Sequence, residues 1–201
     1  KGLIHKDNLA LADDGTPVVT SHRERKKRIC KCKEKTTEAV YLGHQTESMY
    51  IGIISDTHCW FDDPLKKFLE PVDEIWHAGD FGNEETLLQI AAFKPLKGVY
   101  GNCDGNQVRL RVPYTQNFEC EGRKVLMMHI GGYPGRYDYK AFQLINAHLP
   151  DIFVCGHSHI LKVIFDKKYN MLTVNPGAAG IQGFHRVRTA IRVHIDDGNI
   201  H

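Results

Sequence analysis

The sequence predicts an α/β domain in which helices cover two β-sheets, and three observations support this. From Met49 onward, short apolar runs alternate with segments of helical length. The second half contains many strand-like runs and few helices, and the runs end at glycine, serine or polar residues. A content of 42% hydrophobic and 25% charged residues is typical of a globular protein and excludes a fibrous or wholly disordered chain.

The elements follow from local signals in chain order. Asn83 is predicted to cap the second helix, and Pro64 suits an early position of the first. Glu121-Gly122 predicts a hairpin turn. Strands are predicted at 50–54, 74–77, 98–100, 117–120, 124–128, 151–155, 161–165, 171–174 and 187–195. Helices are predicted at 64–69, 84–93 and 141–148.

Residues 1–48 differ from the rest and are predicted to form a basic, flexible and dispensable extension preceding a domain at 49–201. They lack a sustained apolar period and contain 10 Lys and Arg against 7 Asp and Glu. The eight basic residues within 23–35 could dock on nucleic acid. A solvated tail is favoured, because no aromatic side chain is interleaved for base stacking.

Cysteine use and hydropathy indicate the setting. Six unevenly spread cysteines do not suggest a disulfide scaffold, and Cys30 and Cys32 lack the second pair of a zinc finger. We therefore expect a reducing, cytoplasmic location. The longest apolar runs have four or five residues, which excludes a membrane span in this sequence.

The most informative feature is a metal-binding residue type after each of five predicted strands. Ligands collect at the carboxyl ends of strands in α/β sheets, so these scattered positions can converge. Each paired set, Asp-x-His and His-x-His, points to one side of an extended backbone. Two carboxylates, four imidazoles and one amide suit two cations that share a bridging carboxylate. The candidate ligands are Asp56, His58, Asp80, Asn102, His129, His157 and His159.

Several other residues were weighed for roles near this site. Gly79, Gly101 and Gly156 each precede a candidate ligand and allow a sharp turn or close approach of the backbone. His77 lies inside its strand and is interpreted as a packing or supporting residue. His185 is given no role, and the loop from Asn175 to Gly180 is interpreted as a rigid turn that supports the His157–His159 loop.

The complete motif series resembles the calcineurin-like metallophosphoesterase superfamily over about residues 49–195. Within it, the size and the Gly-Asn-Cys-Asp form are similar to the small bacterial and archaeal phosphodiesterases. The resemblance implies a four-layer αββα sandwich of two mixed β-sheets with flanking helices. It also implies two metal sites joined by Asp80. The motifs are Asp56-x-His58, Gly79-Asp80, Gly101-Asn102-Cys103-Asp104, His129, Gly156-His157-Ser158-His159 and Asn175-Pro176-Gly177.

The implied ligand sets are specific. By the resemblance, one metal is held by Asp56, His58, Asp80 and His159. The other is held by Asp80, Asn102, His129 and His157. The expected cofactors are two divalent cations, with Mn²⁺ preferred and Ni²⁺, Zn²⁺, Fe²⁺ or Co²⁺ as alternatives. Asn102 and His129 are also expected to contact the transition state.

The expected function is a metal-dependent phosphodiesterase. A hydroxide that bridges the two metals would attack phosphorus in line, and the metals would take up charge on the phosphoryl oxygens. The expected partner is a small phosphodiester substrate, with no membrane and with nucleic acid only as a nucleotide-type substrate; a homo-oligomer is left open. The alternative is a non-catalytic scaffold of the same fold, as in the metallophosphoesterase-like subunit of the eukaryotic retromer complex.

Three departures from the family pattern bear on activity. Cys103 stands where many relatives carry a histidine that can protonate the leaving oxygen, and a thiol is a poor general acid. Substrates with good leaving groups are therefore expected. Cys59 and Ile130 replace glycines that usually follow the Asp-x-His pair and the metal-site histidine, which alters the expected loop shape without removing a ligand.

Overall fold

The computed structural model describes residues 48–201 in full and, before them, the backbone of residues 9–11 and 17–19. Those two short segments, β1 (Leu9–Leu11) and β2 (Pro17–Val19), pair antiparallel. The chain divides into two compact units, Lys1–Gly43 and His44–His201. The predicted flexible extension at 1–48 otherwise concerns residues outside those described, and it stays a prediction.

The larger unit contains twelve strands and four helices within residues 48–201. The strands are β3 (Ser48–Ile54), β4 (Glu74–His77), β5 (Leu96–Gly98), β6 (Thr115–Cys120), β7 (Arg123–Met128), β8 (Gly132–Tyr133), β9 (Arg136–Tyr137), β10 (Ile152–Val154), β11 (Leu161–Asp166), β12 (Met171–Pro176), β13 (Ile191–Asp196) and β14 (Asn199–Ile200). The helices are α1 (Asp63–Leu69), α2 (Glu84–Phe93), α3 (Asn106–Arg109) and α4 (Tyr139–His148).

Side-chain caps fix where the helices begin. The Asn83 side chain accepts the Thr86 N–H at 2.9 Å, which confirms the predicted cap of α2. Asp62 caps α1 by accepting the Leu65 N–H at 3.3 Å. Asp138 does the same for α4 through the Lys140 N–H, so this helix begins two residues before the predicted start.

Two strands have bounds that differ from the prediction, because hydrogen bonds to distant segments decide where each strand ends or begins. The third strand is 96–98 rather than 98–100, because the chain turns away and the Tyr100 N–H donates to the Pro113 carbonyl. The last long strand begins at Ile191 rather than at 187. Residues 188–189 instead bond to the 178–179 backbone, through the Arg188 side chain and the Thr189 N–H.

Within residues 48–201, three short elements were not predicted: α3, β14 and the β8–β9 hairpin. In this hairpin Gly132 pairs with Tyr137 and Tyr133 pairs with Arg136. Elements of two to four residues carry too little periodicity to be recognised.

Two five-stranded sheets form the centre of the unit. One has the order β14-β13-β3-β4-β5, and the other has the order β11-β12-β10-β7-β6. In the first sheet β3, β4 and β5 are parallel, and in the second β7, β10 and β12 are parallel. The two sheets are therefore mixed, and each contains three adjacent parallel strands.

The buried side chains show how the layers pack. Ile53 and Trp76 of the first sheet meet Met127 and Val154 of the second in one buried cluster. Alternate residues point away from this interface, as the twofold period of a strand requires. Those of the first sheet pack against α1, α2 and α3, and those of the second against α4. The order helix, sheet, sheet, helix confirms the predicted αββα sandwich.

None of the described helices is both long and apolar enough to cross a membrane; the longest, α2 and α4, have ten residues each.

Replacing Ile90 by Ala should lower the free energy of unfolding by about 2–5 kcal/mol, because this buried side chain fills the space between α2 and the first sheet. The matched control is Leu88→Ala on the same helix, where the side chain is 44% exposed and a loss of about 1 kcal/mol or less is expected. Chemical denaturation measures both. Equal losses would contradict this packing of α2.

Candidate metal centre

The candidate ligands stand on unusual backbone at the strand ends. Five of the seven have positive φ angles, which is uncommon for residues other than glycine. Hydrogen bonds between neighbouring loops hold this conformation, for example from the Asp56 N–H to the Gly79 carbonyl and from the His58 N–H to the Asp80 carbonyl. Strained backbone of this kind is concentrated at functional sites. The five angles are 53° at Asp56, 44° at His58, 59° at Asp80, 66° at His157 and 55° at His159.

Two of the preceding glycines are required by the geometry. Gly79 has a φ of 98°, and a Cβ there would lie 2.6 Å from His129 Nδ1. At Gly101 a Cβ would overlap the Asp80 carboxylate. The absence of a side chain therefore lets three loops approach one another closely, as the sequence predicted.

Two carboxylates and three imidazoles meet at the carboxyl ends of the sheets. Asp56 Oδ1 lies 3.1 Å from His159 Nε2 and 3.9 Å from both His58 Nε2 and His129 Nε2. Asp80 Oδ2 lies 3.2 Å from His129 Nε2 and 3.9 Å from His58 Nε2. Five of the seven predicted ligands are thus brought together around one point.

Among the described residues, two atoms at this point are buried and have no hydrogen-bond partner: Asp56 Oδ1 and His129 Nε2. Leaving such groups unsatisfied is costly, so each needs an explanation. A cation between them would satisfy both, and mixed imidazole and carboxylate donors suit divalent transition metals. The residues present therefore fit the metal that the sequence pattern implies.

His129 is oriented as a metal ligand would be. Its Nδ1–H donates to the Ala78 carbonyl at 2.7 Å, so the Nε2 lone pair faces the carboxylates. Burial opposes protonation of this ring, but Asp80 and Asp56 outweigh it and raise the pKa of His129. For Asp80, burial opposes ionisation, and the contact with His129 and the Cys103 N–H hold its pKa well below the usual range.

His159 is oriented by a residue to which the sequence assigned no role. His185 Nε2 lies 3.0 Å from the Gly180 carbonyl and must donate to it, which leaves His185 Nδ1 as an acceptor. His159 Nδ1, at 3.2 Å, then donates to that nitrogen, and its Nε2 lone pair faces Asp56. The two histidines are 26 positions apart, and no local signal links them.

Asp104 was part of a recognised motif, but no role was assigned to it. Its buried carboxylate accepts three backbone N–H groups, from Asp80 at 3.0 Å, Gly101 at 2.8 Å and Gly82 at 2.9 Å. It therefore ties the loop after β4 to the loop after β5. The sequence feature that could have identified Asp104 is its position two residues after Asn102.

His77 supports the loops after β3 and β4 through hydrogen bonds, as predicted. Gly79 N–H donates to His77 Nδ1, so its Nε2–H donates to Thr57 Oγ1 at 2.9 Å. Burial lowers the pKa of His77 to about 3, which keeps the ring neutral. The predicted support of the loop at 157–159 is also present, because Asn175 donates to the Gly156 carbonyl and to Ser158 Oγ.

The remaining two predicted ligands are exposed at the rim. The His157 ring contacts the His129 ring edge-on, with centroids 5.3 Å apart. The Asn102 amide nitrogen lies 3.3 Å from Cys103 Sγ. That sulfur is itself within 4.8 Å of ligand atoms of His58 and Asp80. Burial, followed by the charge of Asp80, raises the pKa of Cys103 to about 11. The assignment of all seven residues as ligands stays a prediction.

Replacing Asp104 by Asn should destabilise the protein by about 1–3 kcal/mol, because an NH₂ group would face backbone donors and leave at least one unsatisfied. It should also weaken Mn²⁺ binding by about 10–100-fold through the displaced Asp80 loop. Thermal unfolding and calorimetric titration measure the two effects. Asp63→Asn, at a 98% exposed carboxylate, is the control. Unchanged metal affinity in Asp104→Asn would contradict this positioning role.

Comparison with known proteins identifies the family. The chain is 29% identical over 136 residues to a probable metallophosphoesterase of Methanothermobacter thermautotrophicus, a match that covers 65% of this chain and 77% of the relative. The fold is similar to that of a structure described as a novel archaeal phosphodiesterase, with a TM-score of 0.58, 22% identity and coverage of 76% of this chain and 98% of the other. It is also similar to Vps29 of Entamoeba histolytica complexed with Zn²⁺, with a TM-score of 0.56, 18% identity and coverage of 76% and 96%. The model of the calcineurin-like phosphoesterase superfamily domain matches residues 49–198, and the chain belongs to that superfamily.

Proposed function

We propose that this protein is a metal-dependent phosphodiesterase with two metal ions at the candidate centre. The observation that carries the proposal is a pair of buried atoms, Asp56 Oδ1 and His129 Nε2, for which the described part of the chain supplies no hydrogen-bond partner. They face each other at 3.9 Å within a ring of carboxylates and imidazoles. Membership of a phosphoesterase superfamily supports hydrolysis of a phosphate ester by such a centre.

The residues proposed to hold the metals are those of the sequence motifs. Asp56, His58 and His159, whose ligand atoms lie within 4.8 Å of one another, would bind one ion together with Asp80. Asp80, Asn102, His129 and His157 would bind the other. Two ions held in this way would activate water as the nucleophile and neutralise charge on the phosphoryl oxygens. The donor set favours Mn²⁺, with Zn²⁺, Ni²⁺, Fe²⁺ or Co²⁺ as alternatives.

The chain itself contributes orientation and charge. The hydrogen bonds from His129 and His159 to neutral acceptors keep their Nε2 lone pairs facing the carboxylates. Asn102, exposed at the rim, is placed to donate a hydrogen bond to a phosphoryl oxygen. As water adds to phosphorus and loses a proton to solvent, the ester bond on the opposite side breaks and the leaving oxygen departs with the bonding electrons.

Metal dependence is the first prediction from this proposal. Chelator-treated protein should not hydrolyse bis(p-nitrophenyl) phosphate, and activity should return on addition of Mn²⁺ or one of the alternative ions. Asp80→Asn should reduce activity by at least about a hundredfold, since even partners that only orient metal ligands contribute about 10–100-fold. Asp63→Asn is the exposed control. If the protein binds metal but hydrolyses the diester with none of these ions, the proposed enzymatic activity would be contradicted and the scaffold alternative favoured.

The second prediction concerns the leaving group. The Cys103 thiol borders the centre, but as a weak acid it contributes little proton transfer to a leaving oxygen. The wild-type protein should therefore prefer aryl diesters to alkyl phosphomonoesters. Cys103→His should raise the rate with alkyl esters relative to aryl esters by about tenfold or more, since a positioned general acid contributes roughly 10²–10⁴-fold. Cys103→Ser should give no gain. Comparable wild-type rates with both substrates would contradict the prediction.

A further inference from the structure

A cavity of about 310 Å³ lies beside the candidate centre and shares His157 with it. Its volume is at the lower end of the roughly 300–1,000 Å³ found for small-molecule sites. One part of its wall comes from the β8–β9 hairpin, and another part comes from β11 and the loop that carries His157. A molecule bound at the metals could therefore extend into it.

The cavity is lined by two cationic side chains, Arg136 and Lys162. Within residues 48–201 neither forms an ion pair. The one carboxylate in the lining, Asp138, is engaged at the start of α4, where it accepts the Lys140 N–H. Within the described residues the lining therefore combines two cations that form no ion pair with one carboxylate, and it carries a net positive charge.

The Lys162 ammonium is positioned by an aromatic ring. Its Nζ lies 3.7 Å from the centroid of the Tyr133 ring, which is within the range of a cation–π contact. Tyr133 belongs to the same wall of the cavity. This contact holds a long and otherwise flexible side chain near the cavity, so less conformational entropy is lost when an anion binds.

The walls are held by side-chain hydrogen bonds. The Tyr137 hydroxyl donates to Asp166 Oδ2 at 2.8 Å, and it lies 2.9 Å from Thr173 Oγ1, which joins the hairpin to β11 and β12. The Asp138 N–H closes the base of the hairpin on the Gly131 carbonyl. The Asn175 amide braces the opposite loop. The cavity is thus formed before any ligand enters.

Two other cavities with cationic side chains are less suited to this role. The one of about 360 Å³ beside α1 is lined by Arg188, but that guanidinium already forms two bonds to Asp62, at 2.7 and 2.8 Å. Arg136 and Lys168 also line a cavity of about 390 Å³ on the other side of the hairpin, together with Asp166, but its lining contains none of the seven candidate ligands. Lys162 lines only the cavity beside His157 among these three.

We propose that the cavity binds a second phosphate of the substrate while the scissile diester lies at the metal centre. The inference rests on the proposed phosphodiesterase function and names its substrate class: phosphodiesters that carry an additional phosphate group. Arg136 would offer its planar fork and Lys162 a point charge, a combination suited to phosphate oxygens. His157 lies between the two subsites, as a member of the motif and of the cavity wall.

A matched pair of substrates tests this. Thymidine 5′-(p-nitrophenyl phosphate) and the same compound with a 3′-phosphate share the scissile bond and the leaving group, and differ only in the added phosphate. We expect the wild-type protein to show a KM at least about tenfold lower for the phosphorylated compound, the factor given by one or more charge-assisted hydrogen bonds. Lys162→Gln and Arg136→Gln should each reduce this ratio, and the double variant should abolish it. Lys167→Gln, exposed in the turn after β11, should retain it.

The outcomes separate the two proposals. Hydrolysis of both compounds with equal KM would overturn the second-phosphate site and leave the phosphodiesterase intact. A preference that survives in the double variant would also overturn the site, because the phosphate would then bind elsewhere. Failure to hydrolyse either compound with any metal would overturn both proposals. Thermal unfolding of each variant shows whether it is folded.

Discussion

The candidate centre depends on one carboxylate that is not predicted to bind metal. Asp104 accepts N–H groups from Asp80, Gly82 and Gly101, and so fixes the turn after β4 against the turn after β5. An ionised carboxylate accepts such bonds strongly, and the buried position excludes competition from water. The bond from the Asp80 N–H to Asp104 helps to hold the Asp80 backbone in a left-handed conformation, with a φ of 59°.

The rest of the centre follows from how two sheets are stacked. The parallel strands of each sheet end at the same edge, and the buried cluster between the sheets places both edges together. Asp56 and Asp80 come from the first sheet, whereas His129 and His159 come from the second. The packing of the apolar core thereby sets the distances between the atoms of the candidate ligands. A core substitution that shifts one sheet would change these distances.

Backbone carbonyls set the orientation of two of the imidazole rings. Ala78 fixes the His129 tautomer directly, and Gly180 fixes that of His159 through His185. Each lone pair is then committed to the centre before a metal arrives, so that little reorganisation accompanies binding. At the rim of this interior lie the Cys103 thiol, within 4.8 Å of ligand atoms of His58 and Asp80, and the cavity beside His157 that Arg136 and Lys162 line.

The sequence by itself determined the fold class, most strand and helix positions, and the seven candidate ligands, because strand period, helix caps and Asp-x-His spacing are local signals. Only the tertiary structure decided which five ligands converge and which two lie at the rim. It also revealed the roles of Asp104 and His185 and showed that, within residues 48–201, Arg136 and Lys162 form no ion pair. These properties depend on contacts between segments far apart in the chain, and no periodicity or spacing within one segment encodes such contacts.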